Sequence, residues 1–142
     1  MFKEILLAVD LGEESSWSKA LPTALELVRN HEARLHVMTV VPDFGFSVVG
    51  QYFPKDYEHK MIEDMQRRLR EFVTTHVPKD VAVHDIIGHG PIYSEILDAA
   101  ESVKADLIVL ASHRPGLQDY LIGPNASKVV RHAKCSVLVV RE

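Results

Sequence analysis

At 142 residues the chain is the size of one domain, and its 46% hydrophobic and 25% charged residues fit a globular fold rather than a disordered, collagen-like or disulfide-stapled one. No stretch reaches the roughly 18 consecutive apolar residues that a membrane span requires, and the five-residue apolar run near the N-terminus is too short for a signal-peptide core. With 16 Lys+Arg against 20 Asp+Glu, a net charge of −4 gives no electrostatic ground for nucleic-acid or anionic-membrane partners, and the lone Cys135, unable to form an internal disulfide, suits a reducing cytoplasm.

Taken in order, the first element is the run Ile5 to Val9, ending at Asp10-Leu11-Gly12. Comparable runs recur at Leu35 to Val41, Leu107 to Leu110 and Val137 to Val140. Unbroken apolar runs of this length, rich in β-branched residues, are what strands covered on both faces need. A further candidate, Val81 to Ile87, is interrupted by His84 and Asp85, which assigns it to a sheet edge.

Between these runs the period becomes helical. Trp17, Leu21, Ala24, Leu25 and Val28 share one face, with Pro22 either kinking that helix or marking a late start. Tyr57, Met61, Met65, Leu69, Phe72 and His76 form a second stripe, its two methionines expected in the core. Ile92, Ile96, Leu97, Ala100 and Val103 form a third. Asn125, Val129, Val130 and Ala133 form a fourth, with Pro124 suited to its first turn. The alternation βαβαβαβαβ predicts an α/β fold in one domain, residues 1–142: an open parallel sheet with helices on both faces. The one long irregular stretch, Pro42 to Pro54, carries Gly45, Gly50 and four aromatics, Phe44, Phe46, Tyr52 and Phe53. Its length suits a functional segment.

Open parallel sheets bind ligands at the carboxyl ends of their strands. That directs attention to Asp10, to Val40 onward, to His89-Gly90, and to Ala111 through Asn125. The chain has no GxxxxGK[ST] phosphate loop, and its first βα turn, Asp10-Leu11-Gly12-Glu13-Glu14-Ser15, is not a GxGxxG fingerprint. Two glutamates there would repel a phosphate. The segment after the fourth strand is richer: Ala111-Ser112-His113-Arg114-Pro115-Gly116, then Gly123-Pro124-Asn125-Ala126-Ser127 at the next helix. A hydroxyl, a guanidinium and a glycine ahead of a helix start can cradle a polyphosphate, or they form a solvated surface loop. Spacing alone leaves both readings open.

The opening Ile5-Leu6-Leu7-Ala8-Val9-Asp10, the strand Leu35 to Pro42 and the tail Gly123 to Arg141 resemble the universal stress protein family over essentially the whole chain. With Ala111 to Pro115, the tail is most similar to its nucleotide-binding F/G-type branch. The resemblance implies a five-stranded sheet in order 3-2-1-4-5, a Rossmann-like fold of the adenine-nucleotide α-hydrolase type. It also implies a homodimer formed by pairing Ser136 to Arg141 with its copy, and a site for ATP or another adenine nucleotide. Carried over by position, Asp10, with Ala8 and Val9 leading into it, matches the family aspartate near ribose and adenine. Val40 matches the residue whose main chain meets the adenine edge. Ala111, Arg114, Gly123 and Pro124 match a phosphate motif that reads Gly, two residues, Gly, nine residues, Gly, Ser or Thr. The chain departs from it at Ala111, Arg114 and Pro124, and its spacer from Arg114 to Gly123 is one residue short. Arg114 can offset the lost backbone access by pairing with phosphate, while Ser112, His113, Asn125 and Ser127 remain as polar partners.

These features imply an ATP-binding regulatory dimer acting in stress response, with Pro42 to Pro54 ordered by ATP for a protein client. Asp10 can hold Mg²⁺ through the phosphates, since a single carboxylate suits a cation kept mostly by water and phosphate. Hydrolysis needs a positioned base, and between the fourth and fifth strands only Asp119 offers an acid. At most a slow ATPase or autophosphorylation is implied, with Ser112 or Ser127 as acceptor. The alternative is a nucleotide-free interaction module. The eight histidines show no zinc-type spacing, although His84 and His89 lie near each other in sequence. Cys135, after Lys134, either gains thiolate character or is a small buried hydrophobe.

Overall fold

The computed structural model describes residues 1–41, 57–112 and 125–141. Its strands are β1 (Glu4–Ala8), β2 (Arg34–Val41), β3 (Val83–His89), β4 (Leu107–Ala111) and β5 (Ser136–Val140). They form one parallel sheet in the order β3-β2-β1-β4-β5, with Leu7 level with Val37 on one side and Val109 on the other. The helices are α1 (Ala20–His31), α2 (Tyr57–His76), α3 (Ile92–Ser102) and α4 (Ala126–His132), with a short 3₁₀ turn at Glu14–Ser16.

Alternation along the strands sorts the apolar residues into two layers. Ile5, Leu7, Leu35, Val37 and Val109 meet Leu21, Ala24 and Val28 of α1 and Leu69 and Phe72 of α2. Leu6, Met38, Val40, Ile108 and Leu110 meet Ile96, Ala99 and Ala100 of α3 and Val129 of α4. Because β1 and β4 are covered on both sides, every residue from Ile5 to Val9 and from Ile108 to Leu110 is fully buried. This is the doubly covered sheet that continuous apolar runs predict.

Pro22 marks a late start rather than a kink. Helix α1 begins at Ala20, so Pro22 lies in the first turn, where a backbone N–H has no intrahelical acceptor to lose. Both α1 and α3 close with a left-handed residue, Glu32 at φ 54° and Lys104 at φ 56°. In each case the next N–H reaches back five residues, Ala33 to the Val28 carbonyl and Ala105 to the Ala100 carbonyl.

Three expectations need correction. The edge strand begins at Val83, not Val81, and runs to His89; Val81 is buried just ahead of it. In α2 only Leu69 and Phe72 are buried, so Met61 and Met65 are partly covered rather than core, and His76 is exposed despite its ring contacts with Trp17 and Phe72. The amino-terminal half of α2 extends past the apolar layer that its stripe would have joined. In α4, Val129 is buried but Val130 is 52% exposed, because a seven-residue helix on the sheet turns only a narrow face inward. The stretch Pro42 to Pro54 and Pro124 lie outside the described residues.

Candidate functional site

The strand order reverses between β1 and β4: β2 and β3 lie to one side of β1, β4 and β5 to the other. At such a switch point the connections leaving neighbouring strands diverge, opening a crevice beyond their carboxyl ends. Continuing the register Ala8–Met38 and Leu7–Val109 brings Asp10 level with Val40, and Val9 level with Ala111. Three of the sequence candidates thus converge from three adjacent strands on one edge of the sheet.

Asp10 is held there by a compact turn. The Val9 N–H donates to the Met38 carbonyl at 2.9 Å, carrying the β1–β2 ladder one residue beyond the strand. The Asp10 carboxylate Oδ1 accepts the Gly12 N–H at 3.1 Å, an Asx turn. The Asp10 N–H donates to Ser16 Oγ at 2.9 Å. The Ser16 hydroxyl in turn lies 2.9 Å from the Asp10 carbonyl and 2.7 Å from that of Glu13, two acceptors for one proton. With 8% exposure at Asp10 and 6% at Ser16, these are buried polar contacts whose loss is costly. Ser16 was not among the sequence candidates. A serine in a Glu/Ser-rich helix start reads as an exposed cap until the turn folds it under Asp10.

Val40, near the end of β2, is 2% exposed, main chain and side chain together. Ala111 ends β4 and is buried, and the Ser112 N–H continues the β4–β5 ladder to the Val140 carbonyl at 2.9 Å. Asn125 immediately precedes α4. Ala8 ends β1 and is fully buried. His113, Arg114, Gly123 and Pro124, which carry most of the expected phosphate contacts, lie outside the described residues.

Beyond Val40 the edge is built by residues that sequence reading only bracketed. Gly90 adopts φ 136°, a conformation open to glycine, and its N–H donates to the Val41 carbonyl at 3.1 Å. Glu95 Oε1 accepts the His89 N–H at 2.7 Å, and His89 Nε2 lies 2.6 Å from Glu58 Oε1, tying β3 to the first turn of α2. His84 and His89, near each other in sequence, occupy opposite ends of β3. His84 instead meets His36 across the β2–β3 ladder. Cys135 sits at the far end of the sheet, half-buried, on an apolar hollow of about 350 Å³ between α3 and α4. Burial pushes its thiol up from the ordinary value, so thiolate character is not what Lys134 confers.

A five-stranded parallel sheet in this order, with a polar turn and small residues at its switch point, defines a Rossmann-like α/β fold. The sequence profile of the universal stress protein family matches residues 1–141, and the chain belongs to that family. It is 31% identical to universal stress protein G of Shigella flexneri over 99% of this chain and all of that one. Among solved structures it resembles the universal stress protein UspA of Lactobacillus plantarum, with a TM-score of 0.69 and 26% identity over 98% of this chain and 97% of that one. A universal stress protein solved in complex with cAMP superposes with a TM-score of 0.60 and 22% identity over 99% and 97% of the two chains. Among the described residues no helix is long and apolar enough to cross a membrane.

Proposed function

We propose that residues 1–142 act as one universal stress protein domain that binds ATP, or another adenine nucleotide, and works as a regulatory homodimer on a protein client in the cytoplasm. The observation that carries the reading is the convergence of Asp10, the Val40 main chain and Ala111-Ser112 at the switch point of the sheet. The residues suit the ligand. A carboxylate held by an Asx turn can accept from ribose hydroxyls. Val40, level with Asp10 on β2, is the position whose main chain the family resemblance assigns to the adenine edge. The family resemblance assigns the phosphate contacts to Ala111, which ends β4, and Ser112, together with His113, Arg114, Gly123, Pro124 and Asn125. The solved relative in complex with cAMP supports an adenine nucleotide as the ligand class.

Magnesium, where it accompanies the phosphates, would be held by phosphate and water with Asp10 as the single protein carboxylate. Among the described residues no cluster of three metal-ligating side chains competes with that arrangement. The dimer reading rests on β5, an apolar edge strand whose Val137 to Val140 are only half-buried. Such an edge invites pairing with a second copy, which closes it.

The direct test is nucleotide binding by the intact protein and by Arg114→Ala. The account expects the variant to lose about tenfold or more in ATP affinity, because a guanidinium–phosphate pair is among the strong charge-assisted hydrogen bonds. Unchanged ATP affinity would show that the phosphate cradle is not built on Arg114, and no ATP binding by the intact protein would favour the nucleotide-free interaction module. Sedimentation should give twice the 16.0 kDa chain mass; a monomer at all concentrations would refute the β5 pairing.

A further inference from the structure

Opposite the nucleotide edge, at the start of the strands, two imidazoles face each other across β2 and β3. The register pairs His36 with His84, and their Nδ1 atoms are 3.0 Å apart with ring centroids at 5.2 Å. His36 is 3% exposed, whereas His84, on the outer strand, is exposed. On the other side of His36, its Nε2 lies 3.5 Å from Glu4 Oε2, too far for a strong hydrogen bond, so that buried nitrogen has no close partner. Glu4 is shared with Arg34, whose Nη1 is 3.9 Å from its other oxygen.

We propose that His36 and His84 form a two-histidine site for a late first-row divalent cation of the Zn²⁺, Ni²⁺ or Cu²⁺ kind. Imidazole nitrogen suits these ions, whereas Mg²⁺ and Ca²⁺ take oxygen. A cation about 2.0–2.1 Å from both nitrogens at a tetrahedral angle sets them about 3.3 Å apart. The observed spacing therefore needs only a few tenths of an ångström of opening, which the exposed His84 can supply on the outer strand. Metal on Nδ1 fixes the His36 proton on Nε2, where it faces the Glu4 carboxylate. This is the carboxylate–histidine–metal arrangement that orients ligating imidazoles. Among the described residues no third His, Cys, Asp or Glu completes the shell, so water fills the remaining positions on the exposed side. A bound cation would clip the outer strand to β2.

The experiment is competition between the untagged full-length protein and a chromophoric chelator for Zn²⁺, repeated with His84→Ala, Glu4→Gln and His31→Ala. His84→Ala alters an exposed side chain and leaves the core intact. His31→Ala controls for the other nitrogen pair, formed by the N-terminal amine 3.2 Å from His31 Nδ1. The proposal expects one Zn²⁺ per chain, at least a tenfold loss with His84→Ala, a loss of about tenfold with Glu4→Gln, and no change with His31→Ala. Zn²⁺ should also raise the melting temperature of the parent but not of His84→Ala. Equal binding by the parent and His84→Ala, loss with His31→Ala instead, or no binding at 100-fold excess over the chelator-free protein would overturn it.

Discussion

Replacing Ser16 by alanine isolates the turn on which the candidate site rests. Ser16 Oγ accepts the Asp10 N–H at 2.9 Å and sits within 2.9 Å of both the Asp10 and Glu13 carbonyls, at 6% exposure. Removing the hydroxyl takes away the acceptor that Ser16 offers the Asp10 N–H in a buried turn, a loss of about 1–3 kcal/mol. For a chain of this size that corresponds to a fall in melting temperature of roughly 3–10 °C. Urea denaturation of the parent and Ser16→Ala measures it, with Thr74→Ala as the control, since that exposed hydroxyl only bonds back to the Arg70 carbonyl on its own helix. ATP affinity should fall in the same variant, because the turn sets the direction of the Asp10 carboxylate. A stability change below about 0.5 kcal/mol, no larger than that of the control, would refute the assignment of Ser16 as the support of Asp10.

Two further outcomes follow from the same geometry. Gly90→Ala forces a Cβ onto a residue at φ 136° and should cost about 1–3 kcal/mol, read as a lower denaturation midpoint at unchanged slope; a neutral result would mean the turn after β3 relaxes freely. The pH profile of iodoacetamide labelling at Cys135, the chain's single cysteine, should climb about tenfold per unit without levelling off by pH 9.0, because burial raises the thiol above its ordinary value. A plateau below about pH 8 would show a thiolate that the structure does not provide.

The sheet was legible in the sequence because its central strands are buried on both faces, and that requirement writes continuous runs such as Ile5 to Val9 into the chain. Periodicity was weaker where an element is only partly covered. The stripe of Met61 and Met65 continues beyond the apolar layer, and Val130 belongs to the pattern of α4 but not to its buried face. The positions of Asp10, Val40 and Ala111 at one edge followed from strand ends and the family resemblance. Ser16 and the Glu58–His89 contact did not, since each depends on a turn or on elements far apart in sequence. The meeting of His36 and His84, 48 residues apart, is a matter of register between two strands, and register is set by the whole hydrophobic pattern rather than by any local motif.

Calorimetric titration of the intact protein with ATP and Mg²⁺ tests the central claim most directly. The account predicts a saturable heat with a dissociation constant tighter than about 1 mM, equivalent to more than about 4 kcal/mol of binding free energy, and a marked weakening when Asp10 is replaced by alanine. No heat at millimolar nucleotide on folded protein, or equal binding by Asp10→Ala, would contradict it.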